Sequence, residues 1–245
     1  MKILCDCHFH TTASGHAYST LGEYAAEAGQ RGLELIVMTD HGPHMPGGPH
    51  QWHFENLRVL PRLWGAVEVW RGVEVNVLDL TGTLDLPDPV LQALDLAVAS
   101  FHTPFFPLGV TKADLTRAAV KVLSHPLVSI LGHPDDDRLP LDHDELARAA
   151  AATGTLLEVN NSSLLPTSHR RGARENYLKM LDACVKHGAR IVLDSDAHVH
   201  TDIGRCDVSL ALLLEAGFPE AQVANTSATR LKAWVSEKGG RAKGV

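Results

Sequence analysis

Near its N-terminus the chain carries an apolar run that ends in two histidines two positions apart, Ile3-Leu4-Cys5-Asp6-Cys7-His8-Phe9-His10. The run predicts a β-strand over Ile3–Cys7. Because strand side chains alternate between two faces, we expect His8 and His10 to share the face of Asp6, with both cysteines and Phe9 opposite. Two imidazoles on one face of a strand end can bind the same metal ion. This stretch therefore predicts a strand that delivers a pair of metal ligands.

Side chains that bind metals recur directly after apolar runs along the rest of the chain. The full set is seven histidines and two carboxylates: His8, His10, His16, His41, Glu74, His102, His133, Asp196 and His198. In a barrel of parallel strands the active site is assembled at the carboxyl ends of the strands. We therefore expect all nine side chains to meet in one metal centre, an arrangement typical of metallohydrolases.

The apolar runs alternate with helix-like segments, which indicates repeated βα units and a parallel sheet. The predicted strands are Ile3–Cys7, Leu33–Met38, Ala66–Val75, Leu94–Ala99, Val128–Leu131, Thr155–Val159 and Arg190–Leu193. The predicted helices are Thr20–Gln30, Trp52–Leu63, Lys112–Ser124, Leu141–Ala152, Arg174–His187, Gly204–Ala216 and Thr229–Glu237. An open sheet would collect the ligands at one crevice, whereas here they follow six of the seven strands. We predict a closed seven-stranded α/β barrel.

The composition limits the other properties of the protein. With 245 residues, 44% of them hydrophobic, we expect one domain over residues 1–245 with a frayed tail at 239–245. A net charge of −7 offers no basic field for nucleic acid, so we do not expect a nucleic-acid partner. Without a signal-peptide pattern or a membrane-spanning apolar run, we expect a cytoplasmic location and no membrane association. Four cysteines are too few for a disulfide scaffold, and we expect reduced thiols, with those of Cys5 and Cys7 buried as small hydrophobic side chains.

The two carboxylates and their neighbours have further expected roles. Glu74 lies in a mainly apolar strand, where an unpaired carboxylate would be costly to bury and a cation would remove that cost. Asp40 is either a ligand or an outer acceptor that orients the imidazole of His41. We assign catalytic roles to Glu74, Asp196 and Asp40. For the substrate entrance we consider His50, His53 and Arg171, with a plain surface position as the alternative.

Taken together, these motifs resemble the PHP (polymerase and histidinol phosphatase) family of metal-dependent hydrolases, with the best match in its YcdX-like phosphatase branch. The resemblance covers about residues 3–235. It rests on Asp6-x-His8-x-His10-Thr11, His16-Ala17-Tyr18-Ser19-Thr20-Leu21, Thr39-Asp40-His41-Gly42-Pro43, Pro49-His50-x-Trp52-His53-Phe54, Arg71-Gly72-x-Glu74, Asn160-Asn161-Ser162-Ser163 and Ser195-Asp196-x-His198. The resemblance implies a distorted (β/α)7 TIM-like barrel with three metal ions in a deep cleft.

The resemblance also implies a ligand set for each ion. The first ion would be held by His8, His10, Glu74 and Asp196. Glu74 would bridge to a second ion, held also by His102 and His133, and a third would take His16, His41 and His198. Imidazole-rich sites suit zinc or manganese, with iron as a further option, better than magnesium.

A trinuclear centre with only two carboxylates is strongly positive, so it favours a compact anion such as a phosphate ester. We predict a metal-dependent phosphatase that hydrolyses a small phosphomonoester, a phosphorylated metabolite, by attack of a metal-bound hydroxide. One alternative is an amidohydrolase-like deaminase or lactonase, although such sites usually bridge their ions with a modified lysine. The other is a non-catalytic or nucleic-acid-processing PHP module. The sequence leaves an oligomer open.

Overall fold

The computed structural model of the protein describes residues 1–106 and 109–239. Its strands are β1 (Cys5–Phe9), β2 (Leu35–Met38), β3 (Leu63–Trp64), β4 (Val67–Asn76), β5 (Leu96–Ser100), β6 (Ile130–Leu131), β7 (Leu156–Asn160) and β8 (Ile191–Asp194). Seven of them pair in parallel in the order β1-β2-β4-β5-β6-β7-β8, and the short β3 pairs antiparallel with β4. The predicted α/β barrel of seven parallel strands is therefore confirmed. Most of the tail that we expected to be frayed lies outside the described residues.

In the described part of the chain, six helices lie between the strands and two more follow the last strand. They are α1 (Leu21–Arg31), α2 (Gln51–Asn56), α3 (Asp88–Ala93), α4 (Lys112–Leu123), α5 (His143–Thr153), α6 (Ala173–His187), α7 (Asp207–Glu215) and α8 (Ala228–Gly239). A capping box between Thr20 and Glu23 starts α1, as the sequence predicts. No described helix is long and apolar enough to cross a membrane.

Two local predictions about these elements are wrong. The helix predicted over Trp52–Leu63 ends at Asn56 and gives way to a single 3-10 turn, because the chain must turn before Pro61 to enter β3. The helix α3 was not predicted. It is a six-residue segment with a proline in its first turn, which is too short to show a helical period in the sequence.

The side chains of β1 do not alternate regularly between the two faces of the sheet, contrary to the prediction from the sequence. The pairing of β1 with β2 shifts register between Asp6 and Phe9. Cys5 and Cys7 belong to a cluster with residues from all seven parallel strands, whereas Phe9 packs on Tyr24 of α1 in the other cluster. The prediction that Phe9 shares the face of the two cysteines is therefore wrong, because an irregularity of this kind turns the side chains that follow it. The predicted burial of both cysteines is confirmed, and all four cysteines of the chain are free.

The barrel is nearly closed between β1 and β8. The Cys7 amide donates to Asp194 Oδ1 at 2.7 Å, and one isolated bridge joins Phe9 to Ala197. Asn225 supplies what a regular ladder would otherwise provide: its side chain donates to the carbonyls of Cys5 (2.9 Å) and Leu193 (2.6 Å) and accepts from the Leu193 amide (3.2 Å). Asn225 is fully buried, so water could not take over its hydrogen bonds to these backbone groups if the side chain were removed. The Asn225 amide therefore contacts the backbones of both the first and the last strand.

We therefore expect Asn225→Ala to lower the free energy of unfolding by about 2–4 kcal/mol, because it leaves buried backbone groups unpaired. The measurement is urea denaturation at matched metal content. Gln222→Ala is the control, since its amide also donates to two backbone carbonyls but at a half-buried position away from the closure. Equal losses for the two variants would contradict the role assigned to Asn225.

Candidate metal centre

The nine predicted ligands meet at the carboxyl ends of the strands. Seven of them line one cavity of about 340 Å3: His16, His41, Glu74, His102, His133, Asp196 and His198. The remaining two, His8 and His10, are fully buried and lie against the same two carboxylates, with His10 Nε2 3.2 Å from Asp196 Oδ1. Positions up to 190 residues apart in the chain thus share one site.

Glu74 lies at the middle of this cluster. Its Oε1 is 2.9 Å from His133 Nε2, 3.3 Å from His102 Nε2 and 3.5 Å from His8 Nε2. Its Oε2 is 2.5 Å from His41 Nδ1 and 3.6 Å from His10 Nε2. One carboxylate therefore faces five imidazoles, which is the arrangement expected of a bridging ligand.

Asp196 organises the other side of the cavity. Its Oδ1 lies 3.2 Å from His10 Nε2, 3.8 Å from His8 Nε2 and 3.7 Å from His198 Nδ1. The His16 ring stands 5.0 Å from the ring centroids of both His41 and His198. The three imidazoles that the resemblance assigns to a third ion are therefore neighbours.

The donor set fits metal ions. Three overlapping groups bring their ligand atoms within 4.8 Å of one another: His10 with His41 and His198, His8 with His10 and Glu74, and His41 with Glu74 and His102. Within the described residues the buried His133 Nδ1 has no hydrogen-bond partner, and His41 Nδ1 and Glu74 Oε2 make no hydrogen bond of good geometry although they lie 2.5 Å apart. Buried polar atoms are rarely left unpaired, and a coordinated cation would satisfy them. The first group mixes ligands assigned to the first and third ions, so the division of ligands between ions stays a prediction.

The backbone at two of these positions is unusual. His133 has φ +28° and Asp196 has φ +52°, and they are the only residues other than glycine with positive φ in the described part of the chain. Such conformations cost about 1–3 kcal/mol and persist where the surrounding structure holds them. His133 lies two residues beyond the end of β6, and Asp196 two residues beyond the end of β8. The strained backbone therefore occurs at two of the candidate ligands.

Electrostatics favours an ionised Glu74 and neutral His10 and His102, whereas at His8 burial opposes protonation but Glu158 and Glu74 outweigh it and raise the pKa. Burial opposes ionisation of Glu74, but the adjacent His41, His102 and His8 outweigh it and hold the pKa of Glu74 well below its usual range. Burial, with repulsion from His41, lowers the pKa of His10 to about 3, and burial lowers that of His102 to about 4. Ionised carboxylates and neutral imidazoles are the forms that bind metal.

Sequence reasoning missed the acceptors behind the ligands. Glu158, fully buried on β7, accepts from the Nδ1 of His8 at 2.7 Å and from the His133 amide at 2.6 Å. Asn76 Oδ1 lies 2.8 Å from His102 Nδ1. The sequence did contain a signal for Glu158, because it is a carboxylate in an apolar strand, as Glu74 is. These outer partners fix the ring orientation of metal-binding histidines.

The structure places the remaining predicted site residues outside the cluster. Asp40 is fully buried, but its carboxylate is taken up by Thr11, Ser14 and His53 rather than by a candidate ligand side chain. His50 is exposed and caps α2 by accepting from the Trp52 amide.

His53 lines a second, larger cleft of about 830 Å3, which none of the nine candidate ligands lines. We place the site in the smaller cavity, because the larger cleft holds no cluster of reactive groups.

Arg171 is exposed and does not line the metal cavity, whereas its neighbour Arg170 does. The side chain of Arg170 is 14% exposed and pairs loosely with Asp135 at 3.8 Å. Asp136 and Arg138 form a close ion pair on the same wall. Sequence reasoning missed Arg170, since nothing in the sequence distinguishes two adjacent arginines in a loop.

Replacing Glu158 tests the outer partners of the site. We expect Glu158→Gln to weaken metal binding about 10- to 100-fold, because the amide is a weaker acceptor for His8 and its NH2 group can face the ring. The measurement is competition of the metal-loaded protein with a chelator, with circular dichroism to check the fold. Glu145→Gln, a carboxylate in the first turn of α5, is the control. Unchanged affinity in Glu158→Gln would contradict the assignment.

Fold and site together define an α/β barrel with a candidate metal centre at the carboxyl ends of its strands. A probable phosphatase of Thermoanaerobacter sp. (strain X514) is 42% identical over 238 residues, which is 97% of this chain and 96% of the relative. A probable phosphatase of Shewanella amazonensis is 41% identical over 239 residues, which is 98% of this chain and 94% of the relative. The chain belongs to the family of these bacterial probable phosphatases. No family model matches it.

Two solved structures share the fold. Histidinol phosphate phosphatase from Lactococcus lactis, solved with zinc, L-histidinol and phosphate, matches with a TM-score of 0.66 at 19% identity over 89% of this chain and 95% of that one. A chain of archaeal ribonuclease P with mature tRNA matches with a TM-score of 0.58 at 17% identity over 96% of this chain and 90% of that one. At these identities the similarity shows the fold alone.

Proposed function

We propose that this protein is a metal-dependent phosphatase of the YcdX-like branch of the PHP family and that it hydrolyses a small phosphomonoester. The observation that carries the proposal is the cluster of nine candidate ligands around one cavity, with a single carboxylate facing five imidazoles. The names of the curated relatives support the same class of reaction.

Three divalent ions, zinc or manganese before iron, would be held as the resemblance implies. The first would take His8, His10, Glu74 and Asp196; the second Glu74, His102 and His133; and the third His16, His41 and His198. Such ions supply Lewis acidity, which activates a water as nucleophile and neutralises the oxygens of the phosphoryl group.

Of the two carboxylates, Asp196 is the one that reaches the cavity. Its side chain is 12% exposed, against 1% for Glu74, and Asn160 Nδ2 holds its Oδ2 at 3.1 Å. Glu74 in contrast is enclosed by imidazoles, with which it would share the bound ions. We therefore assign Asp196 to the face that meets water and substrate, and Glu74 to holding the ligand set together.

Arg170 is the residue of this chain that we assign to the substrate anion. Within the described residues its guanidinium donates no hydrogen bond, and its nearest carboxylate is Asp135 at 3.8 Å. A planar fork of donors that faces a cavity is suited to the oxygens of a phosphate. A cavity of about 340 Å3 is near the lower end of ligand sites, about 300–1,000 Å3. This size favours a small phosphorylated metabolite over a polymer.

The two alternatives from the sequence find less support. No lysine lines the cavity in the described residues, so the modified lysine that usually bridges an amidohydrolase-like site has no counterpart. A nucleic-acid-processing module would need a basic track, and the net charge is −7. Both remain outcomes of the test that follows.

We expect the metal-loaded protein to hydrolyse simple phosphomonoesters faster than phosphodiesters or single-stranded nucleic acid. Chelation should abolish the activity, and manganese or zinc should restore it. The measurements are phosphate release from a panel of esters and elemental analysis, which should find two to three equivalents of metal. Comparable activity on diesters would favour the nucleic-acid alternative, and active protein with less than one equivalent would overturn the trinuclear centre.

The bridging role of Glu74 is tested by comparison with a ligand of one ion. Glu74→Gln keeps the shape but removes the charge between two cations, so it should lose more bound metal than His16→Ala and lower turnover by several orders of magnitude. His16→Ala affects only the third ion and should impair the reaction less. Metal content and turnover are measured on both. Full metal content with near-normal turnover in Glu74→Gln would refute the bridge.

A further inference from the structure

Ser14 occupies a position behind the metal centre that neither the ligand set nor the proposed reaction accounts for. It is fully buried in the 3-10 turn Thr12–Ser14. Its Oγ lies 2.7 Å from Asp40 Oδ1, 3.1 Å from the amide nitrogen of His41 and 3.4 Å from His10 Nδ1. One hydroxyl thus touches two candidate ligands that come from different strands.

The turn that carries Ser14 is fixed in place. Thr11 caps its start by accepting from the Ala13 amide, and Gly15 ends it with φ +75°. A side chain at Gly15 would bring its Cβ to 2.7 Å from the Gly47 carbonyl oxygen, so glycine is required there. The position of the Ser14 hydroxyl is therefore set by a capped turn that requires glycine at its end.

The single proton of the Ser14 hydroxyl determines in which of its three contacts the hydroxyl donates and in which it accepts. It has one proton to donate, and the short contact to the Asp40 carboxylate takes it, because bonds to a charged acceptor are the stronger ones. The His41 amide can only donate, so Ser14 Oγ accepts that bond. The contact with His10 Nδ1 is then favourable only if Nδ1 carries the proton and donates to Oγ. A neutral His10 in this form has no proton on Nε2, the atom that faces Asp196 and Glu74.

The same pattern surrounds two other candidate ligands. His8 and His102 each direct Nδ1 to an outer acceptor, Glu158 and Asn76, and each directs Nε2 to Glu74. Within the described residues, Ser14 is the partner of His10 Nδ1. With it, the three imidazoles of His8, His10 and His102 share one arrangement, with Nδ1 directed to an outer acceptor and Nε2 to the centre.

We propose that Ser14 is a positioning residue that fixes His10 as its Nδ1–H tautomer and holds the backbone of His41, so that one hydroxyl sets ligands of two different ions. Asp40 then acts through Ser14. Its carboxylate also accepts from the Thr11 amide at 2.7 Å, from Thr11 Oγ1 at 2.8 Å and from His53 at 3.2 Å, and so anchors the hydroxyl without contacting substrate. This inference rests on the metal centre of the proposed function but not on its reaction.

The test is zinc affinity, measured by competition of the metal-stripped, refilled protein with a chelator. Ser14→Ala should bind zinc about 10- to 100-fold more weakly, the range for loss of an outer partner of a metal ligand. His53→Phe is the matched control, because it removes another donor to Asp40 and leaves both the turn of Ser14 and the partner of His10 in place. Zinc affinity near that of the unmodified protein is expected for His53→Phe. Equal losses in both variants would show that Ser14 acts only by anchoring Asp40, and unchanged affinity in Ser14→Ala would overturn the inference.

A second measurement needs no variant. Nitrogen-15 NMR of the zinc-loaded protein, labelled at histidine, should show His10 with its proton on Nδ1 and the metal on Nε2, and zinc on Nδ1 of His10 would overturn the assignment. The two proposals can fail separately. If the unmodified protein binds zinc but releases no phosphate from any ester, the reaction is wrong while the tautomer result still decides the role of Ser14.

Discussion

The carboxylate of Glu74 is buried where water cannot reach it and is surrounded by five imidazoles. A lone buried charge is costly, so this residue requires cations or protonated neighbours around it. The imidazoles come from the carboxyl ends of β1, β2, β5 and β6 and from the residues that follow them. Closure of the barrel is the geometric condition for the rest of the site, because an open sheet would not bring His8 and His10 of the first strand end beside Asp196 after the last strand.

Around this centre lies a layer of acceptors that determines which nitrogen of each ring faces inward. Glu158, Asn76 and Ser14 come from a strand interior, a strand end and a turn, and each contacts the outer nitrogen of one imidazole. Metal-binding histidines need this support because a freely rotating ring offers either nitrogen to the centre. Asp40 belongs to this layer by its contacts, one step further out.

Besides the candidate ligands, charged side chains outside the ligand set line the cavity. Arg170 and the pair of Asp136 with Arg138 bring fixed charge to a small polar space beside the ligand cluster. The protein as a whole is acidic, and the cavity is lined by two guanidinium groups and several imidazoles together with the carboxylates of Glu74, Asp136 and Asp196. Cations bound by the ligand cluster would make this local charge positive, and a positive local charge attracts a compact anion whatever the sign of the net charge.

The sequence by itself determined the barrel, its seven parallel strands and the nine side chains at their ends, because alternation of apolar runs and the ligands that follow them are local patterns. The alternation predicted the wrong face for Phe9, since the register shift in β1 arises only from pairing with β2. The sequence favoured Arg171 over Arg170 and did not indicate Glu158 or Ser14 as site residues. Which of two adjacent arginines faces a cavity, and which acceptor meets the back of a ring, depends on contacts between distant segments. Only the tertiary structure decides these two questions, because packing across the barrel fixes the hydrogen-bond geometry. Such contacts produce no periodic pattern in the sequence.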